Sequence, residues 1–335
     1  MIARVAALAC LLLWCALAPT AVAGGAKGKP KRTPEVDRRI AITIDDLPWQ
    51  WAGRLHPDVF AARHAKLIAA VRASGVTGVG FVNEKELEVD GKVDPARVAM
   101  LREWLDAGWE LGNHTWGHLD YHAVGLEAYE ADVLKGERVL RPLLAERGET
   151  PKWFRHPWLR NGRTPEERAA LDAFLAQHGY RTAPVTVNTG EWIWANAYQR
   201  TLDGVAPDAE KQATLARLRS EYVAYMLAKL AFLEQQSLTL LEYNVPQVLL
   251  LHANELNAET FPELIGGMQQ HGYRVVSLEE AVRDPAYARV DGYRGPHGIS
   301  WLHRWALAEG KQRSFFMGDT TVPRWVMDIA GVETE

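Results

Sequence analysis

The sequence predicts an α/β fold, a distorted or incomplete (β/α) barrel of about seven parallel strands, and three observations predict it. From Ile40 to about Val282, short apolar runs alternate with helical segments, the order that produces parallel strands joined by crossover helices. Seven such runs occur, one short of a full eight-unit barrel. The reactive side chains fall just past the carboxyl ends of these runs, the end at which parallel α/β folds assemble their sites.

Ile40-Ala41-Ile42-Thr43-Ile44 is the first strand, followed by a helix from about Asp58 to Ser74. Val76 to Val82 is the second. Asp94 caps a helix whose first turn holds Pro95, and this helix ends near Gly108. Trp109-Glu110-Leu111 is the third strand. A helix over roughly 126–144 leads to the fourth, Lys152-Trp153-Phe154. Thr164-Pro165-Glu166-Glu167 is a capping box opening a helix that stops at Gly179, and Tyr180 to Val187 is the fifth strand. Residues from about 209 to 236 carry Leu215, Leu218, Tyr222, Tyr225, Met226, Leu230 and Leu233 at helical spacing, a packing face. Gln247 to Leu251 is the sixth strand, Thr260-Phe261-Pro262-Glu263 a second capping box, Tyr273 to Val276 the seventh strand, and Ser277-Leu278-Glu279-Glu280 opens a last short helix.

Met1 to Ala23 has one positive charge, Arg4, an apolar run from Val5 to Leu17, and Ala21-Val22-Ala23 before Gly24. This is the pattern of a secretory signal cleaved after Ala23, too short in its apolar core for a membrane span. The expected location is secreted or periplasmic, with no membrane span in the mature form. Both cysteines, Cys10 and Cys15, lie in this segment, so the mature chain must rely on its core and not on disulfides. Residues 24–39 read as a flexible basic spacer, residues 40–283 as the folded domain with a helical insertion at about 205–240, and residues 284–335 as a C-terminal extension. The formal net charge is −4 with both signs mixed along the chain, and no basic stripe or aromatic-basic repeat points to nucleic acid. A monomer is the expected state.

Gly112-Asn113-His114-Thr115-Trp116-Gly117-His118 places two imidazoles four residues apart, able to close on one metal ion from one face of a helix or from a folded loop. A carboxylate from Asp45-Asp46 completes a three-ligand set with positions left open, the arrangement of catalytic zinc. In an extended segment the two aspartates point apart and can take different tasks, one on the metal and one on the substrate side as a base. His252 closes the sixth strand. With Glu191 on its other ring nitrogen it becomes a candidate general acid. Arg155 can hold an aspartate ionised and aimed. Six of the 13 tryptophans, Trp49, Trp51, Trp116, Trp158, Trp192 and Trp194, lie within a few residues of these positions; rings at the mouth of a cleft suit the flat apolar faces of sugars, and core packing is expected to claim about half of the six.

Together these residues resemble the polysaccharide deacetylases of the NodB-homology type, carbohydrate esterase family 4. Thr43-Ile44-Asp45-Asp46 is similar to the first motif, Thr-Phe-Asp-Asp, and His114-Thr115-Trp116-Gly117-His118 matches the second. Arg155-His156-Pro157-Trp158 resembles the third, Asn188-Thr189-Gly190-Glu191-Trp192 the fourth, and Leu249-Leu250-Leu251-His252 the fifth, over roughly 38–282 and in family order. The resemblance implies that Asp46, His114 and His118 bind zinc, with cobalt or nickel as alternatives. It also implies that Asp45 is the base, His252 the acid, Arg155 the group orienting Asp45, and Glu191 the group tuning His252. Trp158, Trp116 and Trp192 are the expected contacts for a polysaccharide substrate, and the main-chain amide near Trp158 the expected partner of the oxyanion. The chain departs from the pattern at Leu47 and Leu159, which replace glycines, and at Asn188 and Glu191, which replace aspartates. The implied reaction is removal of N-acetyl groups. O-acetyl esters and non-sugar amides would use the same chemistry, and an inactive glycan-binding protein is the reading from another class.

Overall fold

β1 (Arg39–Leu47) is the strand around which the sheet curls, and Ile40 to Asp45 are buried along its length. That explains its near-continuous apolar run: a parallel strand covered on both faces cannot alternate. The computed structural model describes residues 36–52 and 55–335. The expected signal over 1–23, and the expected spacer up to residue 35, lie outside the described residues.

α1 (Pro57–Ser74) starts on His56, whose ring accepts from the Asp58 amide, and ends at Gly75 in the left-handed region. β2 (Val79–Val82) leads to a two-stranded antiparallel ribbon, β3 (Glu88–Val89) and β4 (Lys92–Val93), too short to carry a sequence signal. α2 (Pro95–Asp106) has the expected Asp94 cap, and β5 (Glu110–Asn113) follows. α3 (Tyr121–Val124) comes next, and the single helix expected over roughly 126–144 is instead two, α4 (Leu126–Lys135) and α5 (Leu140–Ala145). The break falls at Gly136, where a Cβ would lie 2.6 Å from the carbonyl carbon of Thr115. α4 can therefore end directly against the loop that carries His114 and His118.

β6 (Trp153–Phe154) and α6 (Pro165–Gln177) with its Thr164 cap follow as expected, whereas of the strand expected over Tyr180–Val187 only β7 (Arg181–Thr182) forms, with Val187 left as an isolated bridge. α7 (Glu191–Asp203) and the 34-residue α8 (Asp208–Leu241) precede β8 (Gln247–His252). α9 (Glu255–Gln270) begins earlier than the capping box at Thr260 suggested. Asn254 accepts from the Asn257 amide and is the true cap, Pro262 lies inside the helix, and the Thr260 hydroxyl donates back to Leu256 O. β9 (Arg274–Val275), α10 (Leu278–Ala281), α11 (Trp301–Ala308) and α12 (Arg324–Ala330) complete the chain.

All ladders of the main sheet are parallel, in the order β7-β6-β5-β2-β1-β8, with β9 against the start of β1. Past β7 the chain leaves β6, and Val187 bridges to Leu249 of β8. One segment thus touches both edges of the curled sheet, which makes it an incomplete barrel and not an open sheet. Among the described residues no helix is long and apolar enough to cross a membrane.

Candidate metal centre

At the carboxyl end of β1 the pairing with β2 slips: Ile44 faces Gly80, but Leu47 faces Val82. The extra residue is a β-bulge, and within it Asp46 adopts φ 63°. The expectation that neighbouring aspartates point apart is corrected here. A regular strand would alternate them, whereas the bulge turns both toward one mouth, with Asp45 Oδ2 at 3.9 Å and Asp46 Oδ1 at 3.6 Å from His114 Nε2.

The two imidazoles come from a folded loop, not a helix. Thr115 and His118 have φ 66° and 54°, and non-glycine residues persist there only when neighbours over-determine them. The neighbours are identifiable. Asn113 Oδ1 accepts from the Thr115 amide at 2.6 Å, the Thr115 hydroxyl accepts from the His118 amide at 2.9 Å, and the Asp132 carboxylate accepts from the Gly117 amide at 3.0 and 3.1 Å.

Asp46, His114 and His118 form a metal-binding cluster, with their donor atoms within 4.8 Å of one another. Asp46 Oδ1 lies 3.6 Å from His114 Nε2 and 3.7 Å from His118 Nε2. Tetrahedral zinc with bonds of about 2.0–2.1 Å separates its ligands by roughly 3.3 Å, so a small contraction closes the set. Asp46 Oδ1 is buried and has no hydrogen-bond partner among the described residues, as a ligand oxygen should be. His114 Nδ1 lies 2.8 Å from the Arg155 carbonyl, which can only accept, so the proton sits on Nδ1 and the Nε2 lone pair faces Asp46. Burial lowers the His114 pKa to about 4, keeping the ring neutral and able to ligate. Burial opposes ionisation of Asp46, but the imidazoles of His118, His252 and His114, with the Gln50 carboxamide, outweigh it and hold the carboxyl below its usual range.

Beside the cluster stand the other expected residues. The β1–β8 register sets Asp45 directly opposite His252, so two adjacent strands deliver both groups together. Arg155 is fully buried, with Nη1 3.5 Å from Asp45 Oδ2 and Nη2 donating to Thr43 Oγ1 at 2.9 Å. His252 Nδ1 lies 2.7 Å from Glu191 Oε2. Burial lowers the His252 pKa, but the charge and hydrogen bond of Glu191 more than reverse this and raise it to about 9. Asn254 and Asn257, which carry no site signal in the sequence, and Tyr222, expected only to pack, complete the arrangement. Asn254 and Asn257 each donate to Glu191 Oε1 at 2.7 Å, and Tyr222 from α8 donates to Asn257 Oδ1 at 2.8 Å.

Residues 32–182 match the family model described as polysaccharide deacetylase. This span is a polysaccharide deacetylase domain. It is just under half of the chain and holds Asp45, Asp46, His114, His118 and Arg155, while Glu191 and His252 lie beyond it. With its metal cluster the deacetylase domain is that of a metal-dependent hydrolase. Among curated proteins none matches the chain. Solved structures similar to it include a deacetylase with substrate (18% identity, TM-score 0.44, 74% of this chain and 92% of that one). Another is a peptidoglycan N-acetylglucosamine deacetylase (16%, 0.45, 73% and 88%). A third is a family 4 carbohydrate esterase from Streptomyces lividans in complex with acetate (16%, 0.44, 74% and 97%).

The six tryptophans expected near the site divide into three groups, with Trp51, 36% exposed, falling in the first. Trp158 is 59% exposed, its ring edge-on to His118 at 5.2 Å between centroids, and Trp192, beside Glu191, is 40% exposed. Trp116 is partly buried, with Lys135 and Lys85 over its ring and its indole nitrogen on Glu88, so its face is already covered. Trp49 and Trp194 are core residues.

Proposed function

We propose that the chain removes N-acetyl groups from an N-acetylglucosamine-containing polysaccharide. The observation that carries this reading is the meeting, at one end of the sheet, of the metal cluster with two unlike proton-transfer groups, Asp45 and His252. A bound divalent cation, zinc by the donor set and with cobalt or nickel as substitutes, supplies a Lewis acid that polarises a carbonyl and acidifies water. Asp45, paired with Arg155, takes the proton of the water that attacks the acetyl carbon. His252, protonated to about pH 9 through Glu191, gives a proton to the amide nitrogen as the C–N bond breaks. The Trp158 amide, in the turn whose indole packs edge-on to His118, serves as a donor to the developing oxyanion. The exposed rings of Trp158 and Trp192 offer apolar faces to sugar rings, and a covered Trp116 acts instead as a support of the site.

The same reading takes the expected leader as export and the chain as a secreted or periplasmic monomer. The test is acetate release by the zinc-loaded chain from N-acetylglucosamine polymers, peptidoglycan and acetylated xylan. Release from the first two at rates well above the third is expected. Release confined to acetylated xylan would replace amide with ester as the substrate class.

A further inference from the structure

The chain beyond residue 284 reaches back to the turn that follows β6. In that turn Trp158 and Leu159 are consecutive residues at φ 58° and 52°, a conformation that a side chain bearing Cβ disfavours. Such a pair persists only where its surroundings leave no alternative. Arg304, on α11 and 1% exposed, supplies the restraint. Its Nη2 donates to Leu159 O at 2.6 Å, its Nη1 to Asn161 Oδ1 and Asp291 Oδ2 at 2.8 Å each, and its Nε to Ile299 O at 3.0 Å. The rigid guanidinium fork therefore holds the turn and the tail segment at once. α11 is itself tied to the barrel wall, through Trp301 N to Val185 O at 2.7 Å and Ser300 Oγ to Thr186 O at 2.6 Å. Gly298 lies so close that a Cβ would meet the Trp158 carbonyl oxygen at 1.7 Å.

We propose that Arg304 is a positioning residue for hydrolysis: by clamping the Leu159 carbonyl it keeps the Trp158 amide and indole aimed at the metal centre. The proposal rests on the role given to Trp158 under the proposed function. Arg304 touches no reacting atom, and its effect passes through the backbone of one turn.

The test compares the full chain with Arg304→Met, Arg304→Lys and the double variant Arg304→Met/Leu159→Gly, each loaded with zinc. Arg304→Met should bind zinc as the parent does and lose about 100-fold in kcat, the scale of a small misplacement in a site, with KM raised as the indole moves off the sugar. Arg304→Lys, which keeps the charge without the fork, should lose less. Glycine adopts the left-handed region without help, so Leu159→Gly should return at least about 10-fold of the lost kcat in the Met background. Parental kcat in Arg304→Met, or no recovery in the double variant, overturns the proposal. So does aggregation in both Met backgrounds, which would make Arg304 a scaffold residue only. If the parent hydrolyses none of the glycans, φ at 158 and 159 in crystals of the variants decides independently. Left-handed values lost in Arg304→Met and regained in the double variant support the clamp, and their retention in Arg304→Met overturns it.

Discussion

Asp45→Asn is expected to reduce kcat by about 10²- to 10⁴-fold, the contribution of a positioned general base, while the zinc content stays at the parental level. The two aspartates sit on one bulge yet differ in their partners. Asp46 Oδ1 is shared between two imidazole nitrogens at 3.6 and 3.7 Å, whereas Asp45 Oδ2 lies 3.5 Å from a fully buried guanidinium. An amide at position 45 keeps the size of the side chain and removes its ability to take a proton. It also leaves Arg155 buried without its counter-charge, so a lower melting temperature should accompany the kinetic loss. Initial rates on an N-acetylglucosamine oligomer, with metal analysis of the same samples, give both quantities. Unchanged kcat with full zinc would remove Asp45 from the chemistry.

His114→Ala is expected to have the opposite signature, with the ion lost first and turnover in consequence. The ring contributes one of three donor atoms and spends its other nitrogen on the Arg155 carbonyl. Loss of an outer partner of a metal ligand already costs about 10- to 100-fold in affinity, and loss of the ligand itself should exceed that range. The variant should therefore show no stoichiometric zinc in a chelator-competition titration and only background acetate release. The abandoned carbonyl is buried, and its lost partner costs about 1–3 kcal/mol, so a folded state confirmed by circular dichroism belongs to the experiment. Parental zinc affinity in a folded His114→Ala protein would place the ion elsewhere.

Much of this site was legible in the sequence because it is written at strand ends. The runs ending at Ile44 and Leu251 are buried on both faces, those ending at Leu111 and Phe154 lie in the same parallel sheet, and the residues after all four had to fall at one rim. What the sequence hid depends on irregular backbone or on distant partners. The bulge that turns Asp46 beside Asp45 is a one-residue slip in pairing, invisible to a period-two pattern. α7 begins at Glu191 behind Gly190, which has no side chain, and its capping bond comes from one residue further back, where the Thr189 hydroxyl accepts from the Glu191 amide at 3.2 Å. Asn254 did carry a start signal, as a cap residue directly after the sixth strand, and a reading of that signal would have started α9 correctly and drawn attention to Glu191's partner. Asn257, Tyr222 and Arg304 act across the fold on residues far away in sequence, and nothing local marks them. Which tryptophans line the mouth is hidden for the same reason: Trp49 and Trp194 pack in the core, and two lysines lie over the ring of Trp116.

The dependence of acetate release on a single ion at Asp46, His114 and His118 is tested most directly by stripping the parental chain with a strong chelator, then titrating zinc back while following release from an N-acetylglucosamine polymer. Release should fall to background when the metal is gone and return in full at one zinc per chain. Release that continues at the parental rate with less than about one ion per hundred chains would contradict it, since a metal-independent turnover needs none of the arrangement described above.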